Sequence, residues 1–292
     1  MRKTHIALFA ALLCAPVFAA GAPSRPAING IAHIRFMVAN LDASRQFYGK
    51  VLGLSECPAT EGLCYRVNDH QAIELVAGQG AGPGAIVDVA FQTANVKQMR
   101  EFLAAHGVQV SEIKKDPNGA KSIEMNDPEG RHIQFIQYSK PLPGPIAVDP
   151  VSVLMIHCGF IVRNRAAEDH FYSDVLGFHL YWYGGMKDDV ADWVDMQVPD
   201  GADWLEYMLN MPAAPSPHEL GIMNHVSLGV QDGDAAMALL RAHGWDGAEK
   251  DKVGRDGKWQ LGLFDPDGTR IELMELKLRQ PPCCSQFNGR SH

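Results

Sequence analysis

Polar and apolar residues alternate from Ile31 to Val38, and branched side chains are frequent there. Alternation with a period of two predicts a strand, and it places His33 and Arg35 on the same face. A helical pattern follows, in which the apolar residues Phe47 and Val51 are four positions apart. Further strand patterns complete a unit of one strand, one helix and three strands.

The helical pattern occurs twice in the chain. Phe47-Tyr-Gly-Lys-Val-Leu-Gly-Leu54 returns 124 residues later as Phe171-Tyr-Ser-Asp-Val-Leu-Gly-Phe178. In each copy a histidine, His33 or His157, precedes the tyrosine by 15 residues. A helix and a histidine that recur at one fixed spacing indicate a duplicated architecture.

Other segments extend the duplication to four units. Ala105-His-Gly107 recurs as Ala242-His-Gly244, and Asp127-Pro-Glu-Gly130 recurs as Asp265-Pro-Asp-Gly268. A proline-rich stretch without periodicity, Tyr138 to Pro150, marks the boundary between the two halves. We therefore predict an α+β fold of two tandem modules, each with two βαβββ units in a curved half-barrel sheet: module one at residues 28–140, module two at residues 153–277, and an irregular tail at residues 278–292.

The first 20 residues have the pattern of a secretory signal peptide. Arg2 and Lys3 give a positive start, Ile6 to Phe18 is apolar, and cleavage is expected after Ala19 or Ala20. This apolar run is shorter than the ~20 residues that span a bilayer. The sequence therefore predicts a periplasmic or secreted protein with no membrane segment once processed.

Composition and charge narrow the range of partners. The net charge is -8 and no basic stripe is present, so nucleic acid is not expected as a partner. Cys57 and Cys64 flank a predicted hairpin loop, where an oxidising compartment would favour a disulfide. A pair of free thiols is the alternative, and the sequence leaves both open.

Ionisable side chains recur at matching strand positions. Three units combine a histidine on the first strand with a glutamate on the last: His33 with Glu74, His157 with Glu206, and His225 with Glu272. The second unit has Asp88 and Gln134 instead. One strand histidine is usually a core residue, but a recurring pair is hard to explain by packing, because burying ionisable groups is costly unless they are paired or metal-bound. Two imidazoles with one or two carboxylates suit a divalent ion of Fe, Ni, Co, Mn or Zn.

The four units, the paired Phe-Tyr-x-x-Val-Leu-Gly helices and the Asp-Pro-x-Gly turn before Ile271-Glu272 resemble the vicinal oxygen chelate superfamily. This superfamily includes glyoxalase I, extradiol ring-cleaving dioxygenases and bleomycin-resistance proteins. Its curved sheets wrap a metal that binds two neighbouring oxygens of a substrate. The resemblance implies a glyoxalase I-like metal set of His157, Glu206, His225 and Glu272, with Glu272 and Glu206 as the catalytic carboxylates.

The extradiol dioxygenases use three of these positions, which would be His157, His225 and Glu272. Their signature also has a histidine and a tyrosine ahead of the last glutamate. Here Gly262-Leu-Phe264 has no tyrosine, and Lys258-Trp259 stands where the histidine would be. The departure disfavours the dioxygenase interpretation.

Two assemblies of the units remain open. The fourth unit completes its site with His157 and Glu206 if each module closes on itself, or with His33 and Glu74 if units pair across modules. All five tryptophans lie in module two, which favours an aromatic-lined pocket there. We therefore favour closed modules, with module one partly degenerate.

The resemblance implies a metal-dependent, glyoxalase-like lyase or isomerase. Its partner would be a small molecule with vicinal oxygens, and its cofactor a divalent metal ion. Two alternatives belong to other classes: an extradiol ring-cleaving dioxygenase, and a non-catalytic small-molecule-binding protein of the bleomycin-resistance type.

Overall fold

The computed structural model describes residues 23–292, and the predicted signal peptide at residues 1–20 lies outside them. Two mixed eight-stranded sheets form the described chain. Short helices connect the strands, and the predicted α+β fold of two tandem modules is confirmed. None of the helices between residues 23 and 292 is long and apolar enough to cross a membrane.

Module one forms the first sheet. Its elements are β1 (Ile28–Val38), α1 (Leu41–Ser44), β2 (Ser55–Cys57), β3 (Leu63–Arg66), β4 (Ala72–Ala77), β5 (Ile86–Thr93), α2 (Val96–Ala105), β6 (Lys114–Lys115), β7 (Lys121–Asn126) and β8 (His132–Gln137). The strand order is β2-β3-β4-β1-β5-β8-β7-β6. A disulfide between Cys57 and Cys64 joins β2 to β3, which answers the question that the sequence left open.

Module two forms the second sheet. Its elements are β9 (Met155–Ile161), α3 (Arg165–Glu168), β10 (His179–Gly184), β11 (Trp193–Gln197), β12 (Trp204–Met208), α4 (Pro217–Met223), β13 (His225–Val230), α5 (Gly233–Ala242), β14 (Lys252–Val253), β15 (Lys258–Phe264) and β16 (Arg270–Leu278). The strand order β10-β11-β12-β9-β13-β16-β15-β14 repeats that of module one.

Each sheet is built only from strands of its own module. The first strands of units one and two, β1 and β5, pair antiparallel, and so do the first strands of units three and four, β9 and β13. The last strand of each unit lies parallel to its own first strand, as β12 does beside β9. The two central pairs therefore set the register of every polar residue on the sheets.

The two repeated helices begin with the same kind of N-cap and continue in the same way. The side chains of Asn40 and Asn164 accept backbone N–H groups at the starts of α1 and α3, as N-cap residues do. Both helices continue as π-helical segments, Arg45–Val51 and Asp169–Val175. The π-helical geometry was not predicted from the four-residue spacing of apolar side chains.

The repeated tyrosines explain two of the sequence repeats at once. Tyr48 of unit one donates a hydrogen bond to Asp265 of the unit-four turn, over 2.9 Å. Tyr172 of unit three donates to Asp127 of the unit-two turn, over 3.3 Å. Both tyrosines are fully buried in a core that both modules share. Each Asp-Pro-x-Gly turn thus binds the helix of the other module.

The two tyrosine contacts have different surroundings. Asp127 also accepts a bond from the Nε of Arg131 over 2.6 Å, and the Nη2 of Arg131 lies 2.8 Å from an oxygen of Glu168. Around the Tyr48–Asp265 contact, the positions equivalent to Arg131 and Glu168 are taken by the neutral residues Thr269 and Ser44. Burial raises the pKa of the Glu168 carboxyl to about 7, against the opposing effect of Arg131.

The segment after Leu278 has no helix or strand, and it packs on module two. The hydroxyl of Ser285 donates to the carbonyl of Tyr183 over 3.0 Å, and the ring of Phe287 lies 4.9 Å from that of Tyr181. These contacts cover the β10 edge of the sheet, which would otherwise present unpaired backbone groups.

Replacing Tyr48 by Phe should destabilise the protein more than replacing Tyr172 by Phe. One oxygen of Asp265, Oδ2, has Tyr48 as its partner, whereas Asp127 keeps Arg131 when Tyr172 loses its hydroxyl. A hydrogen bond to a charged group contributes about 1.5–3 kcal/mol, so we expect a loss in that range for Tyr48→Phe. Urea unfolding of both variants measures it, and equal losses would contradict the assignment.

The variant Glu168→Gln should change how stability depends on pH. The folded-state pKa of Glu168, about 7, lies above its ordinary value of 4.5, so deprotonation is unfavourable in the folded protein. Its contribution to stability is therefore present at low pH and declines as pH rises through that window. Relative to Glu168→Gln, the wild type should lose unfolding free energy between about pH 5 and pH 8. Parallel urea titrations that show the same pH slope for both proteins would refute this.

Candidate metal centre

The strand register of module two places four polar side chains around two small residues. Gly159 on β9 lies opposite Glu206 on β12 and His225 on β13. Ser227 on β13 lies opposite His157 on β9 and Glu272 on β16. The closed module thus brings together the four residues singled out from the sequence.

The two imidazoles lie close together, and each carboxylate approaches both of them. The Nε2 atoms of His157 and His225 are 3.1 Å apart. Glu206 Oε2 lies 3.7 Å from His157 Nε2 and 3.2 Å from His225 Nε2. Glu272 Oε2 lies 3.3 Å and 4.0 Å from the same two nitrogens. Both histidines are fully buried, and Glu272 is 4% exposed.

These spacings fit a shared metal ion. Histidine and carboxylate ligands bind zinc-like ions at ~2.0–2.2 Å, so donors around one ion are separated by ~3–4 Å. His225 Nδ1 lies 3.1 Å from the carbonyl of Met223, the arrangement in which Nδ1 donates and leaves the Nε2 lone pair for a ligand. The Nδ1 of His157 has no hydrogen-bond partner within residues 23–292.

Gly159 leaves the space in which His225 sits. A Cβ at this position would lie 2.1 Å from Cε1 of the His225 ring, which no side chain can tolerate without movement. Glycine is needed here because it has no side chain, and not because of its backbone angle: Gly159 does not have a positive φ. Glycine at this position therefore allows β13 to aim its imidazole across β9.

A family model described as the Glyoxalase/Bleomycin resistance protein/Dioxygenase superfamily matches residues 30–135 and 155–273, most of both modules. The chain belongs to this superfamily. The match confirms the resemblance inferred from the paired helices and turns. No curated protein matches the chain.

Solved structures share the superfamily fold over most of the chain. The Mn(II)-bound glyoxalase from Novosphingobium aromaticivorans is 17% identical with a TM-score of 0.67, over 89% of this chain and 86% of that chain. The 2,3-dioxygenase LapB from Pseudomonas sp. KL28 is 18% identical with a TM-score of 0.66, over 86% of this chain and 93% of that chain. Homoprotocatechuate 2,3-dioxygenase from Brevibacterium fuscum, in an anaerobic complex with 3,4-dihydroxyphenylacetate, is 18% identical with a TM-score of 0.67, over 91% and 86%. Likeness at these identities shows the fold and does not choose between the chemistries.

Within this superfamily fold, Arg270 is a site residue that the sequence analysis missed. Its Nη2 lies 2.7 Å from His225 Nε2, and its Nη1 lies 3.5 Å from Glu272 Oε1. Burial and the Arg270 charge lower the pKa of His225, so its imidazole is neutral. Burial would raise the pKa of Glu272, but Arg270 and the histidines outweigh it and hold that pKa low. The signal was available, because Arg270 precedes Glu272 by two residues and so shares its face of β16.

Three of the four residues, His157, Glu206 and Glu272, line a small cavity of about 160 Å³. Three of the five tryptophans line it: Trp182, Trp193 and Trp204. The other two, Trp245 and Trp259, are buried in the core. A protein cavity of ~150 Å³ holds a molecule the size of benzene, so this one admits a small ligand.

A further buried carboxyl, Asp195, was also missed. It lies opposite Glu206 in the β11–β12 pair, lines the same cavity, and is 4% exposed. Burial, with the neighbouring Glu206 charge, raises its pKa far above the usual value. The sequence signal was weak, since a single acidic residue on a strand has no recurring partner.

One other group of metal-ligand types occurs in the described chain. Asp188 lies near Cys283 and Cys284, but it is exposed and paired with Arg255, and the two cysteines are bonded to each other. The residues of module one that match the site, His33 and Glu74, lie in the other sheet. The cross-module alternative therefore fails, because closed sheets keep them with Asp88.

Proposed function

We propose that the chain is a metal-dependent, glyoxalase-like lyase or isomerase that acts on a small substrate with vicinal oxygens. Its divalent ion would be held by His157, Glu206, His225 and Glu272. The observation that carries the proposal is the convergence of two imidazoles and two carboxylates at 3.1–4.0 Å in a buried pocket. The solved Mn(II)-bound glyoxalase with this fold supports a metal in the reaction.

An ion at this site would polarise the two substrate oxygens and acidify the C–H of the hydroxyl-bearing carbon, which is next to the carbonyl. Glu272 would then take a proton from that carbon and return it to the neighbouring one, so no electron donor or acceptor is consumed. Arg270, 3.5 Å from the other oxygen of Glu272, holds the carboxylate ionised for this task. Glu206 fixes the opposite side of the site through its contact with His225.

The cavity restricts the size of the substrate. Its volume of about 160 Å³ suits a compound with few heavy atoms, and three indole rings wall it. Asp195, next to Glu206 on the neighbouring strand, adds a polar side chain to the cavity wall that a substrate oxygen could contact. Small hydroxy-ketones and 2-oxo-aldehyde adducts have the neighbouring oxygens that such a site requires.

A ring-cleaving dioxygenase is the second candidate, because LapB and homoprotocatechuate 2,3-dioxygenase share the fold. Two observations count against it. Glu206 adds a carboxylate to the three ligands which that chemistry needs. Lys258, in place of the expected histidine, is buried with its ammonium 4.9 Å from the Trp204 ring. Oxygen uptake with a catechol would favour this candidate.

Metal analysis tests the site directly. The wild type should bind about one divalent ion per chain. Loss of a residue that only supports a metal ligand typically weakens metal binding by ~10–100-fold. Because His225 is itself a proposed ligand, His225→Ala should weaken binding by more than that. The matched control is His170→Ala, since His170 is 72% exposed and in contact with Asp174. Equal metal content in wild type and His225→Ala would remove this site from the account.

Glu272→Gln should separate chemistry from folding. The amide cannot accept the proton, so turnover of hydroxy-ketone substrates should fall by ~10²–10⁴-fold. Exchange of the substrate carbon-bound proton with D₂O, followed by NMR, should fall in parallel. Asp174→Asn, at an exposed position, serves as the control. Proton exchange that persists at the wild-type rate in Glu272→Gln would exclude this glutamate as the base.

A further inference from the structure

Module one contains a counterpart of the candidate metal centre, residue for residue. Arg35 on β1 lies opposite Glu74 on β4 and Asp88 on β5. Gly159 has the same two neighbours in module two, where they are Glu206 and His225. An arginine in module one therefore stands where module two has a glycine.

The guanidinium of Arg35 lies between the two carboxylates. Its Nε donates to Glu74 over 2.9 Å, its Nη2 also contacts Glu74, and its Nη1 lies 3.2 Å from Asp88. The imidazole of His33 completes the group, with Nε2 at 2.6 Å from Asp88 and Nδ1 at 3.7 Å from Glu74. His33 and Asp88 are 3% and 1% exposed, so their charges have little access to water.

We propose that the Arg35 guanidinium occupies in module one the place that a divalent cation takes in module two. His33, Glu74 and Asp88 then form a second divalent-cation site that this side chain keeps closed. The analogy with module two rests on the proposed function, whereas the contacts of Arg35 and the test below do not. In the wild type the chain binds no metal in module one.

Either the Arg35 guanidinium or a metal ion is required to balance the negative charges of Glu74 and Asp88. A buried carboxylate such as Asp88, with the half-buried Glu74 beside it, costs free energy unless a positive charge compensates it. Arg35 supplies that charge permanently, since its guanidinium does not lose its proton in proteins. With the guanidinium in place, His33, Glu74 and Asp88 do not bring one atom each within 4.8 Å of the others, as His157, Glu206 and His225 do.

The site is also open to an ion and has an additional donor. A cavity of about 440 Å³ is lined by His33, Arg35, Glu74 and Gln134. Gln134 occupies the position of Glu272 and is 7% exposed. Its side chain lines the same cavity, so its amide oxygen would add a neutral ligand to the three ionisable groups. Shortening Arg35 would open the path from this cavity to Asp88, which lies behind the guanidinium at 3.2 Å from its Nη1.

The experiment removes the guanidinium in a chain whose module-two site is already disabled. In full-length His225→Ala protein, Arg35→Ala and Arg35→Met are compared with Arg35→Lys, which retains the positive charge. Each is incubated with Co²⁺, desalted, and measured for metal content and for visible absorption of the bound ion. We expect about one Co²⁺ per chain in the Ala and Met variants, which lose the guanidinium, and none in the Lys variant.

Adding Asp88→Asn to Arg35→Met should abolish this Co²⁺ binding and its absorption bands. Unfolding is monitored by circular dichroism with and without Co²⁺, because a ligand that binds the folded state raises the melting temperature. A raised melting temperature in Arg35→Ala, absent in Arg35→Lys, supports the site even if the metal-free variant is unstable. Folded Arg35→Met that binds no more Co²⁺ than Arg35→Lys would overturn the proposal. Because every chain carries His225→Ala, the result is independent of whether module two is a metalloenzyme.

Discussion

The approach of His157 and His225 across the β9–β13 pair is the contact on which the rest of the site depends. Two buried imidazole nitrogens 3.1 Å apart can be matched by a shared cation or by a hydrogen-bond donor, and Arg270 Nη2 lies 2.7 Å from the one on His225. The carboxylates of Glu206 and Glu272 lie beside both rings, which makes a cation the better match. The antiparallel register fixes this approach, and Gly159 opens the space for it.

The two modules have the same architecture but balance the charge of their central carboxylates in different ways. Polar side chains from four strands meet at the middle of each curved sheet. In module two they leave a gap suited to a metal ion, bordered by Arg270. In module one Arg35 fills the gap and binds both carboxylates. Module one has Arg35 where module two has Gly159, and it also has Asp88 and Gln134 where module two has His225 and Glu272.

The cross-module tyrosine contacts show why the helix motif is duplicated so clearly. A motif confined to one module would need only local packing, but Tyr48 and Tyr172 each reach an aspartate in the other module. The helix and the Asp-Pro-x-Gly turn are therefore constrained together. The repeats found in the sequence are the two halves of this interface.

Much of the fold followed from the sequence, because period-two strands, paired helices and turn motifs are local signals that recur. The four residues that converge in module two were also identified, since a histidine on the first strand and a glutamate on the last strand recur in three of the four units. Arg270 and Asp195 were missed because one occurrence of a charged residue on a strand has no repeat to reveal it. The choice between the two assemblies depended on which strands pair across long stretches of sequence. The pairing of β9 with β13 in the structure decides it. The role of the converging residues as metal ligands stays a prediction.

The most direct measurement is an anomalous difference map from a crystal of the full chain grown with Co²⁺ or Zn²⁺. The account predicts one strong peak between His157 and His225, ~2 Å from both Nε2 atoms and within reach of Glu206 and Glu272. An empty position there, in crystals whose metal binds instead at Cys283 and Cys284 or on the surface, would contradict it.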